Sequence, residues 1–95
     1  MTEILFLGHC YEPGKHDKIW GYIADGDRGA LTFWGRRRGT LSFKHYPYIS
    51  DAVAQCWTKS KKYLQVAKNL AHSEYLPEDF EGQVMLARLG QIKFA

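Results

Sequence analysis

The stretch "LTFWGRRRGTLSFKHY", residues 31–46, decides how this chain is read. Apolar and polar residues alternate on both sides of Arg37, Arg38 and Gly39, the pattern of two strands joined by a three-residue hairpin loop. Such loops commonly hold their last residue in the left-handed conformation, which glycine adopts freely, so Gly39 is expected there. The turn pairs Arg36 with Thr40, Trp34 with Ser42 and Thr32 with Lys44, and directly paired residues share a face of the sheet. Leu31, Phe33, Leu41 and Phe43 then collect on one side, which is a core face. Thr32, Trp34, Arg36, Thr40, Ser42 and Lys44 collect on the other, so Trp34 falls among polar and cationic residues.

Two roles fit a tryptophan in that position. The ring packs under the terminal segment or against an arginine, a cation–π contact worth ~0.5–1 kcal/mol at an exposed site. Alternatively it stacks on a base or sugar, worth ~1–3 kcal/mol per base, while the surrounding cations neutralise phosphates. Pattern alone leaves both open, and a charged hairpin tip is often only a solvated one.

Working outward, Ile4–Leu7 begins a strand, Glu12–Asp17 is a turn-rich loop and Lys18–Ala24 is a second strand. Asp25–Gly29 is a hairpin signal, and the third and fourth strands are those of the opening stretch, ended by Pro47. The register of the first hairpin stays open: an odd loop exposes Trp20 and Tyr22, an even one buries them. The period then changes. Val53, Trp57, Ser60, Leu64, Ala67 and Ala71 recur at spacings of three and four, one helical stripe over about 50–70 with Ser50 as its cap and Asp51 in its first turn. Lys59 and Lys62 fall away from that stripe. Pro77, the acids after it and Gly90 suggest a second helix over about 77–89, preferred over a strand through "QVMLARL". The expected class is α+β: an antiparallel sheet of about four strands packed by one main helix.

Ninety-five residues is the size of one small domain, and 45% hydrophobic with 15% aromatic residues suffices for a core. No apolar run approaches the ~18–20 residues that span a bilayer. "MTEILFLGHC" lacks a basic leader and reads as a strand, so no membrane partner is expected. Cys10 and Cys56 sit in unlike contexts without CxxC spacing, which favours a reduced, cytoplasmic protein. Net charge is +3, unevenly spread: residues 1–27 carry −3, residues 28–68 carry nine Lys/Arg against Asp51 alone for +8, and residues 69–95 carry −2. A segment so one-sided suits a polyanionic partner or is simply a solvated face.

Other chemistries find little support. His9, Cys10 and His16 are close in sequence but lack a second close-spaced pair for a tetrahedral metal site. Cys56 sits mid-helix beside Trp57, the setting of an inert thiol, and Glu74, Glu78, Asp79 and Glu81 suit a helix start or solvated loop. No phosphate loop or dinucleotide fingerprint is present. No cofactor, metal or enzymatic activity is expected.

"KIWGYIADGDRGALTFWGRRRG" followed by "SDAVAQCWTKSKKY" resembles the WGR domain, named for its Trp-Gly-Arg motif and found in DNA-dependent poly(ADP-ribose) polymerases and in assorted bacterial proteins. The resemblance is strongest over residues 18–63, within a single domain of residues 1–95. It implies an antiparallel sheet with one principal helix. It also implies DNA binding in which Trp34 stacks on a sugar, Arg36 joins the contacts and Gly35 allows close backbone approach. Arg37 and Arg38 stand where the family usually has an aliphatic residue and a longer loop, and Lys62 replaces a glycine before Tyr63. No polymerase catalytic domain fits in the remaining residues, so an isolated module is expected. The candidate interface comprises Trp34, Gly35, Arg36, Arg37, Arg38, Lys44, Lys59 and Lys62. Its partner is nucleic acid, DNA ahead of RNA. The alternative is a protein-interaction module that keeps the scaffold and lacks DNA binding.

Overall fold

Alternation and turn chemistry give four consecutive antiparallel strands, seen here in a computed structural model that describes residues 3–67 and 74–94, with side chains followed through residue 90. They are β1 (Ile4–Glu12), β2 (His16–Ala24), β3 (Ala30–Arg36) and β4 (Leu41–Tyr46). Helix α1 (Ile49–Lys59), a short β5 (Leu64–Gln65) and helix α2 (Phe80–Phe94) follow. The sheet order is β4-β3-β2-β1-β5, an α+β fold. The β1–β2 connection is tighter than the sequence suggests. Glu12 pairs with His16, so only Pro13–Lys15 remain as the loop.

Register distributes the side chains between two faces. Lys18, Trp20 and Tyr22 lie opposite Arg36, Trp34 and Thr32, and Trp34 and Thr32 lie opposite Ser42 and Lys44. Gly8 lies opposite Trp20, and Phe6 opposite Tyr22. These residues form the tryptophan face. Leu7, Ile19, Ile23, Leu31, Phe33 and Leu41 form the other, the main core, joined by Leu76, Phe80 and Val84.

The helix that covers the Phe33 side is α2. The Phe33 and Phe80 rings meet edge-on at 5.1 Å, and the Gln83 side chain accepts the Leu41 N–H at 2.8 Å. At its far side Arg88 reaches Asp25 in the β2–β3 turn, Nε to Oδ1 2.9 Å. The expected main helix, α1, instead lies over the tryptophan face, with Gln55 and Lys59 above Trp34 and Lys44. The sheet is therefore a middle layer between two helices.

Several local expectations change with this arrangement. Helix α1 begins at Ile49, not after Ser50. Tyr48 is the cap residue in extended conformation, with no side-chain capping bond, and its carbonyl accepts the Asp51 N–H. The helix stops at Lys59 rather than near residue 70, because the chain turns back to pair Leu64 and Gln65 with His9 and Gly8. That pairing satisfies the open edge of β1, and the Val66 N–H donates to the Leu7 carbonyl. The expected stripe through Val53 and Trp57 faces solvent; Ala52 is the buried position of α1. Ala71 lies outside the described residues. The register of β2 against β3 is the odd one, yet Trp20 is buried, because α1 and Tyr63 cover the face onto which it turns. The C-terminal helix forms, but it starts at Phe80 after a turn through Pro77 and continues past Gly90.

Candidate functional site

Alternation along β3 puts Thr32, Trp34 and Arg36 in a row on the tryptophan face, and β4 adds Lys44 beside them. The helix above contributes Gln55 and Lys59, and the turn after it contributes Tyr63. Together with Trp20 and Tyr46 these residues, Arg36 excepted, line a cavity of about 190 Å³ between sheet and helix. Trp34 stands at its mouth and keeps part of its ring exposed, whereas Trp20 is sealed beneath, its ring 6.0 Å from Phe6 and 6.1 Å from Tyr22.

The close fit of the turn after α1 depends on Gly8. A Cβ there would stand 2.6 Å from Tyr63 Cβ and 2.9 Å from its carbonyl oxygen, so only glycine lets Tyr63 descend onto the sheet. Tyr63 in turn receives Lys18, whose Nζ sits 6.0 Å above its ring. Lys44 Nζ lies 5.1 Å over Tyr46, and the Thr32 hydroxyl donates to the Lys44 carbonyl at 3.0 Å. Both lysines are thus steered by aromatic rings on this face. Burial pushes the Tyr22 hydroxyl and the Cys56 thiol up from their ordinary pKa values, and the nearby Cys56 adds to the effect on Tyr22. Cys56 is thereby kept as a protonated, weakly reactive thiol.

The motif glycine has a specific reason. Gly35 takes φ +150°, and an added Cβ would lie 3.1 Å from the Thr40 carbonyl and 3.3 Å from the Leu41 side chain. At the tip, Arg38 adopts the left-handed φ of 62°, while Gly39 does not, contrary to the expectation for the loop's last residue. Tertiary bonds hold the tip in this shape: the Arg37 N–H donates to the Asp17 carbonyl and the Arg38 N–H to the Tyr75 carbonyl. A local turn preference gives way to contacts from two other segments.

Those contacts also separate the three arginines. Arg36 faces the tryptophan side, and no carboxylate lies within 4 Å of it among the described residues. Arg37 turns to the opposite side. Its Nε meets both oxygens of Asp17 at 3.1 and 3.0 Å, and its Nη1 donates to the Glu74 carbonyl at 3.2 Å. Arg38 is paired with Glu78 at 3.6 Å. Asp17 also accepts from His9 Nε2 at 2.6 Å. The His9 bond, aided by Arg37, holds its carboxyl below the ordinary carboxylate value. The acidic residues Glu74 and Glu78 before α2 therefore meet the Arg37–Arg38 side of the hairpin rather than the tryptophan face.

Of the eight expected interface residues, Trp34, Lys44 and Lys59 share the cavity, and Gly35 and Arg36 continue the same strand. Lys62 lies apart, beside His9, Leu64 and Tyr75 near β5. Lys18 is a residue the sequence reading missed. Its place opposite Arg36 depends on the β2–β3 register, for which the five-residue turn at 25–29 was the available signal. Among the described residues no His, Cys, Asp and Glu cluster could hold a metal ion.

Fold and face define a class: a small α+β module with an aromatic, lysine-rimmed cavity between one face of its sheet and a helix. No family model, no curated protein and no solved structure matches the chain.

Proposed function

We propose that this is a WGR-like nucleic-acid-binding module that grips DNA backbone and sugar through the tryptophan face without reading sequence. One observation carries the reading: a part-exposed Trp34 in line with Arg36 and Lys18 on one side and Lys44 and Lys59 on the other. An aromatic ring supplies a stacking surface for a sugar or base, and the flanking cations supply phosphate neutralisation. The lysines are held over Tyr63 and Tyr46, which limits the ordering entropy lost on binding. In this reading the protein works by binding rather than turnover, in the cytoplasm, and DNA is favoured over RNA.

Titration of end-bearing duplex and of single-stranded DNA at low salt tests the reading. Affinity should fall by about 0.9 log units per log of salt for each phosphate neutralised on duplex. Absence of binding at low salt, or undiminished binding by the Trp34→Ala, Arg36→Ala double variant, overturns it.

A second reading, a protein-interaction module without DNA binding, has its own support in Arg37 and Arg38. Arg37 and Arg38, which follow the motif, are paired with the carboxylates of Asp17 and Glu78, and Arg37 also donates to the Glu74 carbonyl, which weakens the positive field at the tip. Co-purification of a nuclease-resistant protein partner without nucleic acid would favour it.

A further inference from the structure

The cavity beneath α1 has a composition that gripping a backbone alone does not use. Four of its eight lining residues are aromatic, two are lysines and none is acidic. Trp20 is buried beneath it, and Trp34 is part exposed at its mouth. Protein interiors leave few voids larger than a water molecule, and a cavity of about 190 Å³ is well beyond that. An engineered cavity of ~150 Å³ takes up benzene, whereas sites for drug-sized ligands run to ~300–1,000 Å³. The space therefore fits one planar ring system and little more.

Its polar groups are those a nucleotide needs. Lys44 comes from the sheet and Lys59 from the helix, and neither has a carboxylate within 4 Å among the described residues. Two such ammonium groups at one cavity favour an anion. Gln55, from the helix above, adds an amide that both donates and accepts, which suits the edge of any base. Aromatic walls are equally tolerant, because every base has a π face. Lys18 and Arg36 stand opposite each other on β2 and β3, two residues along from Trp34, and do not line the cavity. They are placed to meet the next stretch of a strand rather than the group inside.

We infer that the cavity receives one unpaired nucleotide of a DNA strand. Its base enters between the sheet and α1 and stacks against Trp34, its phosphate is held by Lys44 and Lys59, and Lys18 and Arg36 grip the adjoining backbone. The inference rests on the reading of the tryptophan face as a DNA-binding surface and adds the substrate class: a strand end or single strand whose base is free to leave the stack. Extruding a paired base sacrifices pairing and stacking, a cost that is least for a base already unpaired. Unpaired DNA is therefore selected over blunt duplex without any reading of sequence.

Three hairpin duplexes test it with the intact chain: one blunt-ended, one carrying a single unpaired thymidine, and one carrying an abasic sugar-phosphate in its place. The thymidine duplex should bind roughly five- to 150-fold tighter than the abasic one, the range of one base–aromatic stack, and tighter than the blunt one. Trp34→Ala should erase the ratio between thymidine and abasic duplexes, whereas Arg36→Ala, outside the cavity, should weaken both and preserve it. Intermolecular NOEs should join the thymine protons to the Thr32 side chain, which lines the cavity and is 2% exposed. Free thymidine monophosphate should not displace the thymidine duplex at equal concentration. Equal affinity for the thymidine and abasic duplexes, thymine NOEs that reach Trp34 but not Thr32, or displacement by the free nucleotide overturns the inference and leaves DNA binding through this face intact. Failure of all three duplexes to bind at low salt overturns the underlying reading, and the inference with it.

Discussion

Trp20 and Trp34 stand directly opposite each other on β2 and β3, yet Trp20 is 4% exposed and Trp34 38%. Their neighbours explain the difference. Trp20 lies inside the sheet between Phe6 and Tyr22 and beneath Tyr63, whereas the outer neighbour of Trp34 is Ser42, too small to cover an indole. The pair should separate under mutation. Trp20→Ala should lose about 3–5 kcal/mol of stability, as large buried aromatics do. Trp34→Ala should stay within about 1 kcal/mol of wild type by chemical denaturation. DNA affinity should respond in the opposite sense, falling roughly five- to 150-fold for Trp34→Ala.

The arginines should divide in the same way. Lys18→Ala and Arg36→Ala should each reduce the salt dependence of DNA binding by about 0.9 log units per log of salt if each neutralises one phosphate. Arg37→Ala and Arg38→Ala should change that slope less, because their charges already face Asp17 and Glu78. A larger slope change for Arg37 than for Arg36 would contradict this division.

Asp17 makes the hairpin tip sensitive to acid. His9 and Arg37 hold its folded pKa below the ordinary 3.8, so the ionised form favours the folded state. That contribution is fully present above the ordinary value and fades as pH falls through the lowered one. Between pH 5 and about pH 2.5 the wild type should therefore lose more stability than Asp17→Asn, as the linkage of a depressed carboxylate requires. Parallel urea melts at the two pH values would reveal it; equal losses would remove Asp17 from the account.

Gly35→Ala tests the backbone of the motif. With φ at +150° and the Thr40 carbonyl 3.1 Å from the new Cβ, the substitution should cost about 1–3 kcal/mol. Thermal melts would measure the loss. The perturbation should be concentrated at Leu41 and its neighbours in the NMR spectrum.

The four strands and the facial position of Trp34 were legible because they rest on short-range rules. Alternation and a three-residue loop already imply that Trp34 opposes Ser42 and Thr32 opposes Lys44. The helix at 49–59 was legible in its period but not in its phase. Val53 and Trp57 are the larger apolar residues, yet the buried position is Ala52, because a helix seated close to the sheet needs a small side chain at the contact. Nothing in residues 60–65 alone indicates that the chain leaves the helix to pair with Gly8 and His9. The partner strand lies more than fifty residues earlier, and its open edge is what rewards the exit.

The sequence by itself determined the α+β class, the hairpin carrying Trp34 and the concentration of positive charge in residues 28–68. These follow from covalent geometry and nearest neighbours. Only the tertiary structure decided that α2 rather than α1 covers Phe33, that α1 roofs the tryptophan face, and that Arg36 parts from Arg37 and Arg38. Those outcomes depend on contacts such as Phe33 with Phe80 and Asp17 with Arg37, between residues distant along the chain, where competing packings are resolved by the shape and charge of the whole molecule.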